Sequence, residues 1–168
     1  MGTKTLMSVD EYLHTTFDGA DREYLDGEVV ERNMGNRSHS WIQKNFIFRL
    51  ELLAQKCGYY VYPEMRHRVT ASRFRIPDIA VFEHRPPEEV PILAPLVAIE
   101  ILSPDDRASY MIPKLEEHQR WGVKHIWVAD PEERKFFTYG ATGLHDVAEL
   151  SLPEYGITLT KEQIFDAA

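Results

Sequence analysis

The chain predicts an α/β fold, a mixed β-sheet flanked by helices. Two apolar stretches, Ile76–Phe82 and Leu93–Pro104, read as buried strands because their Val, Ile and Leu content lacks the polar alternation of a solvated strand. Two further segments, Ser38–Cys57 and the run through Lys114, Leu115, His118 and Trp121, carry apolar residues three and four apart, the period of an amphipathic helix. Hairpins combined with two such helices fit layered α/β packing.

Taken in order, Ser8 followed by Glu11 is a capping box and opens a short first helix to His14. Asp26-Gly27 sits between two alternating runs within Arg22–Glu31, the signature of a hairpin with a type I′ turn. Asn33 to Asn36 is a turn-rich break that leaves Met34 exposed or loosely packed. The helix that follows places Ile42, Phe46, Leu50, Leu53 and Cys57 on one stripe, widened by Trp41, Phe48 and Leu52, and Gly58 ends it. His39 lies in its first turn, as a capping or solvated residue or in a supporting role toward the next strands. Tyr59–Tyr62 and Glu64–Thr70 are strand material interrupted at Pro63, which suits an edge or a bulge.

Pro86-Pro87 marks the loop after Phe82 as extended. Asp105-Asp106 supply turn and cap chemistry. Pro113 is tolerated in a first helical turn, so the regular helix is expected to begin there, with Ala108 to Ile112 as a separate turn, and to stop at Gly122. His125–Asp130 and Lys135–Tyr139 form an antiparallel pair about the turn Pro131–Arg134. The tail from Leu150 is expected to be peripheral, with a last short helix at Lys161 to Phe165.

At 168 residues, 43% hydrophobic and 27% charged, the chain suits one globular domain over residues 1–168. No stretch approaches the ~20 apolar residues of a membrane span, and Met1 to Leu6 has no secretory apolar region, so a soluble, cytoplasmic protein is expected. The single cysteine, Cys57, excludes an internal disulfide and a multi-cysteine zinc site. A net charge of −8 argues against a general nucleic-acid coating protein but leaves room for a local basic groove. The dense run Arg66, His67, Arg68, Arg73 and Arg75 is either that groove, facing phosphates, or a solvated hairpin.

Each buried strand carries a misfit acid, Asp78 in one and Glu100 in the other. An ionised carboxylate in such a place costs several kcal/mol unless it is paired or bound to a cation. Strand periodicity puts Asp78 with Ala80 and Phe82, and Glu100 with Ala98 and Leu102, so both acids can point the same way and offer oxygen ligands to a hard divalent cation. Lys114 can reach back from the following helix toward the strand end. The competing arrangement is a buried ionic cluster of Asp78 and Glu100 with Arg75, Lys114 or His118.

These blocks together, Arg22–Glu31, His39, Ile76-Pro-Asp78, Ile99-Glu-Ile-Leu-Ser-Pro104, Lys114 and Gly122–Pro131, resemble the PD-(D/E)XK nuclease superfamily and, within it, the Uma-type restriction endonuclease family. The resemblance implies a restriction-endonuclease-like core. It also implies Asp78 and Glu100 as ligands of Mg²⁺, for which Mn²⁺ can substitute, with the Ile101 carbonyl as a further ligand and Glu23 as an outer acid. The departure is Leu102, where the superfamily's motif carries a lysine; Lys114 matches the lysine this family has on the next helix. The implied function is a metal-dependent DNA endonuclease with Asp78, Glu100, Lys114 and Glu23 as catalytic residues and Arg66, Arg68, Arg73, Arg75 and His39 toward DNA. The alternative, favoured by Leu102 and the net charge, is a catalytically silent nucleic-acid- or protein-binding domain. A homodimer is expected from the aromatic density of Tyr59, Tyr60, Tyr62, Phe136, Phe137 and Tyr139 and from the two-fold symmetry of cutting both strands of a duplex.

Overall fold

A computed structural model describes residues 6–166; most of the start Met1 to Leu6 lies outside them. Helix α1, Val9–Leu13, has the capping box of Ser8 and Glu11. Strands β1, Glu23–Leu25, and β2, Glu28–Val30, form the hairpin, and Asp26 and Gly27 both have positive φ, as a type I′ turn requires. Helix α2, Arg37–Cys57, starts on Asn36, whose side chain accepts the His39 N–H, and stops on Gly58 in the left-handed region. Strands β3, Tyr60–Pro63, β4, His67–Thr70, β5, Arg73–Arg75, β6, Ile79–Phe82, and β7, Val97–Ile101, follow. Helix α3, Ala108–Trp121, leads to β8, His125–Asp130, β9, Lys135–Gly140, and β10, Gly143–Val147. The chain then forms β11, Glu149–Leu152, β12, Ile157–Thr160, and α4, Lys161–Phe165.

The central sheet has the order β10-β9-β8-β7-β6-β3, and Pro63 closes the edge strand, where its missing N–H costs no ladder bond. Only β7 and β8 in it are parallel, because α3 provides the crossover that parallel neighbours need. A second sheet, β2-β1-β5-β4, packs around Tyr12, Tyr24 and Phe74. The central sheet is covered on both faces. On one, α2 lays Ile42, Phe46 and Leu50 against Val97, Ile99, Ile101, Trp127 and Ala129. On the other, Met111 and Leu115 of α3 meet Ala98, Ile126 and Val128.

Three expectations about the helices change. Trp41, Phe48 and Leu52 do not widen the packed stripe of α2; they are 41%, 56% and 59% exposed, on a second stripe roughly 100° around the helix from Ile42 and Phe46. Helix α3 runs through Pro113 without a break. Ser109 and Pro113 both lie on its exposed side, so the carbonyl deprived of a partner faces water. Asp106 does not cap α3 either: it accepts the Ser103 N–H at 2.6 Å, and Arg107 stands at the N-cap position.

The tail from Leu150 is part of the main core. β11 and β12 pair with Leu150 opposite Leu159 and Leu152 opposite Ile157, all four buried, and α4 adds Ile164 and Phe165 beside α2. Asn45, inside α2, donates to the Ile164 carbonyl at 2.8 Å, and Phe165 stacks on Phe136 at 5.0 Å between ring centroids. Phe165→Ala should therefore destabilise the fold by roughly 3 kcal/mol or more in denaturant unfolding, the cost of a vacated aromatic core site. A change below about 1 kcal/mol would return the tail to the periphery.

His67 is buried between Phe82, on which it stacks at 5.6 Å, and Trp121, which meets it edge-on at 5.7 Å. Burial lowers its pKa from 6.5 to about 4, against the opposing effect of its hydrogen bond to the Met65 carbonyl. The unfolded chain thus takes up this proton first as pH falls. Stability should drop between pH 6.5 and about 4, by roughly 3 kcal/mol in all, and level off below. Urea unfolding across that range should show the slope in the parent and lose this component in His67→Gln.

Candidate active site

Asp78 and Glu100 meet because β6 and β7 are antiparallel with Ile79 opposite Ile99 and Ala80 opposite Ala98. One further step of that register sets Asp78 opposite Glu100. Pro77, with no N–H, releases the chain from the ladder just before β6, and the Asp78 carbonyl instead accepts the Glu64 N–H and the Gln43 amide, each at 3.1 Å. Its side chain turns onto β7, where Oδ2 accepts the Ile101 N–H at 2.7 Å. Oδ1 lies 3.1 Å from Arg32 Nη2 and 3.3 Å from His39 Nε2. Both acids line one small cavity of about 30 Å³ together with Arg32, Asn33, His39 and Lys114. That is room for a water molecule or a cation.

Glu100, 1% exposed, points to the α3 face and is held from that helix. Lys114 Nζ donates to its Oε2 at 3.0 Å and His118 Nε2 lies 2.8 Å from its Oε1. The two donors are four residues apart and so stand on the same face of α3 one turn apart. Lys114 Nζ also lies 2.9 Å from Glu23 Oε1 and donates to the Ile76 carbonyl at 3.1 Å. Glu23, fully buried on β1, accepts in addition from the Ile76 N–H and from Arg75 Nη1, each at 2.9 Å, and from the Tyr110 hydroxyl. Beyond it, Arg75 and Arg73 grip the two oxygens of Glu117 at 2.5 Å, and Arg73 reaches Asp26 at 2.5 Å. Charges of opposite sign thus alternate from Asp26 at the surface to Glu100 in the central strand.

Pairing overrides burial at Glu23, Lys114, Asp78 and His39. Burial would raise the pKa of Glu23, yet Lys114 and Arg75 hold it well below the usual carboxylate range. Burial would lower that of Lys114, yet Glu100 and Glu23 keep it above the ordinary lysine value. Asp78 is likewise lowered against its burial, by His39, Lys114 and Arg32, and His39 is raised against its own, chiefly by Asp78.

Of the sequence-predicted residues, Asp78, Glu100, Lys114 and His39 come together at this cavity, the Ile101 backbone edges it, and Glu23 lies one step behind Lys114. The basic run does not. Arg75, expected to face phosphates, is 2% exposed and lies inside, between Glu23 and Glu117. Arg66 is clamped by both oxygens of Asp21 at 2.6 Å and by the Tyr12 and Thr15 carbonyls. Arg68 donates to the Ala71 carbonyl at 3.0 Å, and Arg73 is shared by Asp26 and Glu117. Arg32, Tyr110 and Glu117 are new to the site. Arg32 follows a hairpin arm and Glu117 follows the exposed Glu116, so each has the sequence context of a surface charge.

The carboxylates of Asp78 and Glu100 and the carbonyl of Ile101 are oxygen donors of the kind a hard cation takes. Among the described residues no group of three or more His, Cys, Asp or Glu is placed to hold an ion. A cation here would depend on few protein ligands, which suits Mg²⁺, an ion that keeps several of its waters.

No curated protein matches the chain. A crystal structure described as that of a "putative nuclease belonging to DUF820", from Anabaena variabilis, superposes with a TM-score of 0.82 at 23% sequence identity, covering 95% of this chain and 98% of that one. The two share a nuclease-like mixed α/β fold. The model of the family Uma2, described as "Putative restriction endonuclease", matches residues 9–166. With that match spanning nearly the whole chain, and the two acids of its strands facing one cavity, this protein belongs to the Uma2 family.

Proposed function

We propose that this protein is a Mg²⁺-dependent endonuclease that hydrolyses phosphodiester bonds in DNA. The observation that carries the reading is the convergence of Asp78 and Glu100, from neighbouring strands, on one cavity with the ammonium of Lys114 against Glu100. In this reading Asp78, Glu100 and the Ile101 carbonyl hold the ion, which when bound polarises the scissile phosphate and lowers the pKa of a coordinated water. Lys114 takes over from the lysine that Leu102 replaces and stabilises charge developing on the phosphate. Glu23 acts through it: four donors engage its carboxylate, so it fixes the direction of the ammonium rather than binding the ion. Family membership and the nuclease-like fold support the reading.

Lys114→Ala, checked for folding by circular dichroism, should lower Mg²⁺-dependent cleavage of duplex DNA by about 10²-fold or more while Mn²⁺ binding stays near that of the parent. Glu100→Gln should weaken both. Cleavage by Lys114→Ala at the parent rate would remove the lysine from the mechanism. A second reading, a silent binding domain that keeps the fold, draws on the full pairing of Asp78 and Glu100 with protein cations. Parent protein that binds DNA but neither takes up Mn²⁺ nor cleaves would establish it.

The same reading includes a two-fold dimer. Tyr59 and Phe136 are spent in the core, so its support now comes from Tyr60 and the outward stripe of Trp41, Phe48 and Leu52. Light scattering should give twice the 19.5 kDa chain mass at micromolar concentration, and a monomer throughout would exclude it.

A further inference from the structure

Asp78 already has a cation on one of its two carboxylate oxygens. Its Oδ2 takes a neutral backbone N–H, which leaves a lone pair free, but Oδ1 carries the Arg32 guanidinium at 3.1 Å together with His39 at 3.3 Å. Arg32 is built into this place. Its side chain is 9% exposed, it lines the cavity with Asp78 and Glu100, and its other acid, Glu64, is farther away at 3.8 Å. Burial works against its charge, but Asp78, then Glu100, Glu23 and Glu64, more than offset this.

Two cations cannot share one carboxylate oxygen in a buried cavity without strong repulsion, since like charges a few ångströms apart are poorly screened there. We propose that Arg32 is the resident counter-ion of Asp78, which must leave that carboxylate when the divalent cation binds and thereby sets the metal affinity of the site. The inference rests on the metal reading of the preceding subsection. It assigns Arg32 a positioning and regulatory role: the acids stay neutralised when the ion is scarce, and the site loads only above a threshold that the arginine determines. Lys114 stands on the other acid, against Glu100 Oε2 and Glu23, so a change at Arg32 reads the Asp78 side of the site alone.

The test is Mn²⁺ binding to the intact chain without DNA, followed through the electron paramagnetic resonance signal of free Mn²⁺. Arg32→Met should bind Mn²⁺ tighter than the parent by roughly tenfold or more, the effect of removing a neighbouring like charge. Arg32→Gln, which keeps a hydrogen-bond donor for Asp78 without the charge, should do the same and serves if the methionine variant does not fold. Arg37→Met, at an exposed arginine at the start of α2, should leave affinity unchanged and controls for net charge. Asp78→Asn should abolish binding. Equal or weaker binding in both Arg32 variants, with Asp78→Asn still abolishing it, overturns the role of Arg32 and leaves the metal site standing. No binding in the parent or in either Arg32 variant, or binding indifferent to Asp78→Asn, overturns the metal site and this inference with it.

Discussion

A carboxylate inside a central β-strand is the constraint on which the rest of this structure depends. Glu100 has β6 on one side and β8 on the other and is almost fully buried, so its charge must be met by donors from outside the sheet. Only the helix crossing that face can deliver them. Helix α3 supplies Lys114 and His118 one turn apart, and the same helix is the crossover that makes β7 and β8 parallel. Satisfying one acid and connecting two strands are thus the work of one element.

Burying Lys114 creates a second demand, because one carboxylate does not exhaust three ammonium donors. Glu23 of β1 and the Ile76 carbonyl take the others, and Glu23 in turn needs Arg75, which needs Glu117. Breaking such a chain at one member strands its neighbours without a partner, at a cost of about 3–5 kcal/mol for a buried charge. Site and scaffold therefore cannot be separated along this line: the residues that orient Lys114 also join the second sheet to α3 and the central strand.

Where local chemistry decides the conformation, the sequence was a sufficient guide. Asp26-Gly27 gave the hairpin because both residues accept positive φ, Ser8 with Glu11 gave a cap, and the two acids stood out against apolar strands. Lys114 stands out by its place at the start of the helix after β7, but a lysine on a helix is ordinarily solvated, and the family resemblance is what gives it a role. Long-range pairing was the blind spot. Nothing near Arg32, Arg75 or Glu117 in the chain reveals that their partners lie dozens of residues away, and the basic run is legible as charge but not as three arginines, Arg66, Arg73 and Arg75, already paired with acids. The tail leucines alternate only over the two four-residue arms either side of the turn at Pro153–Tyr155, too briefly to declare a buried hairpin.

The charged path from Asp26 to Glu100 has one more consequence. Apolar surfaces can slide over one another at small cost, but a row of alternating signs fits in one position only. Moving the β1–β5 edge by a single place would set Glu23 against Glu117, or Arg75 against Lys114. The row works like the teeth of a ratchet between two plates, fixing where the smaller sheet stands against the larger to within the tolerance of a hydrogen bond.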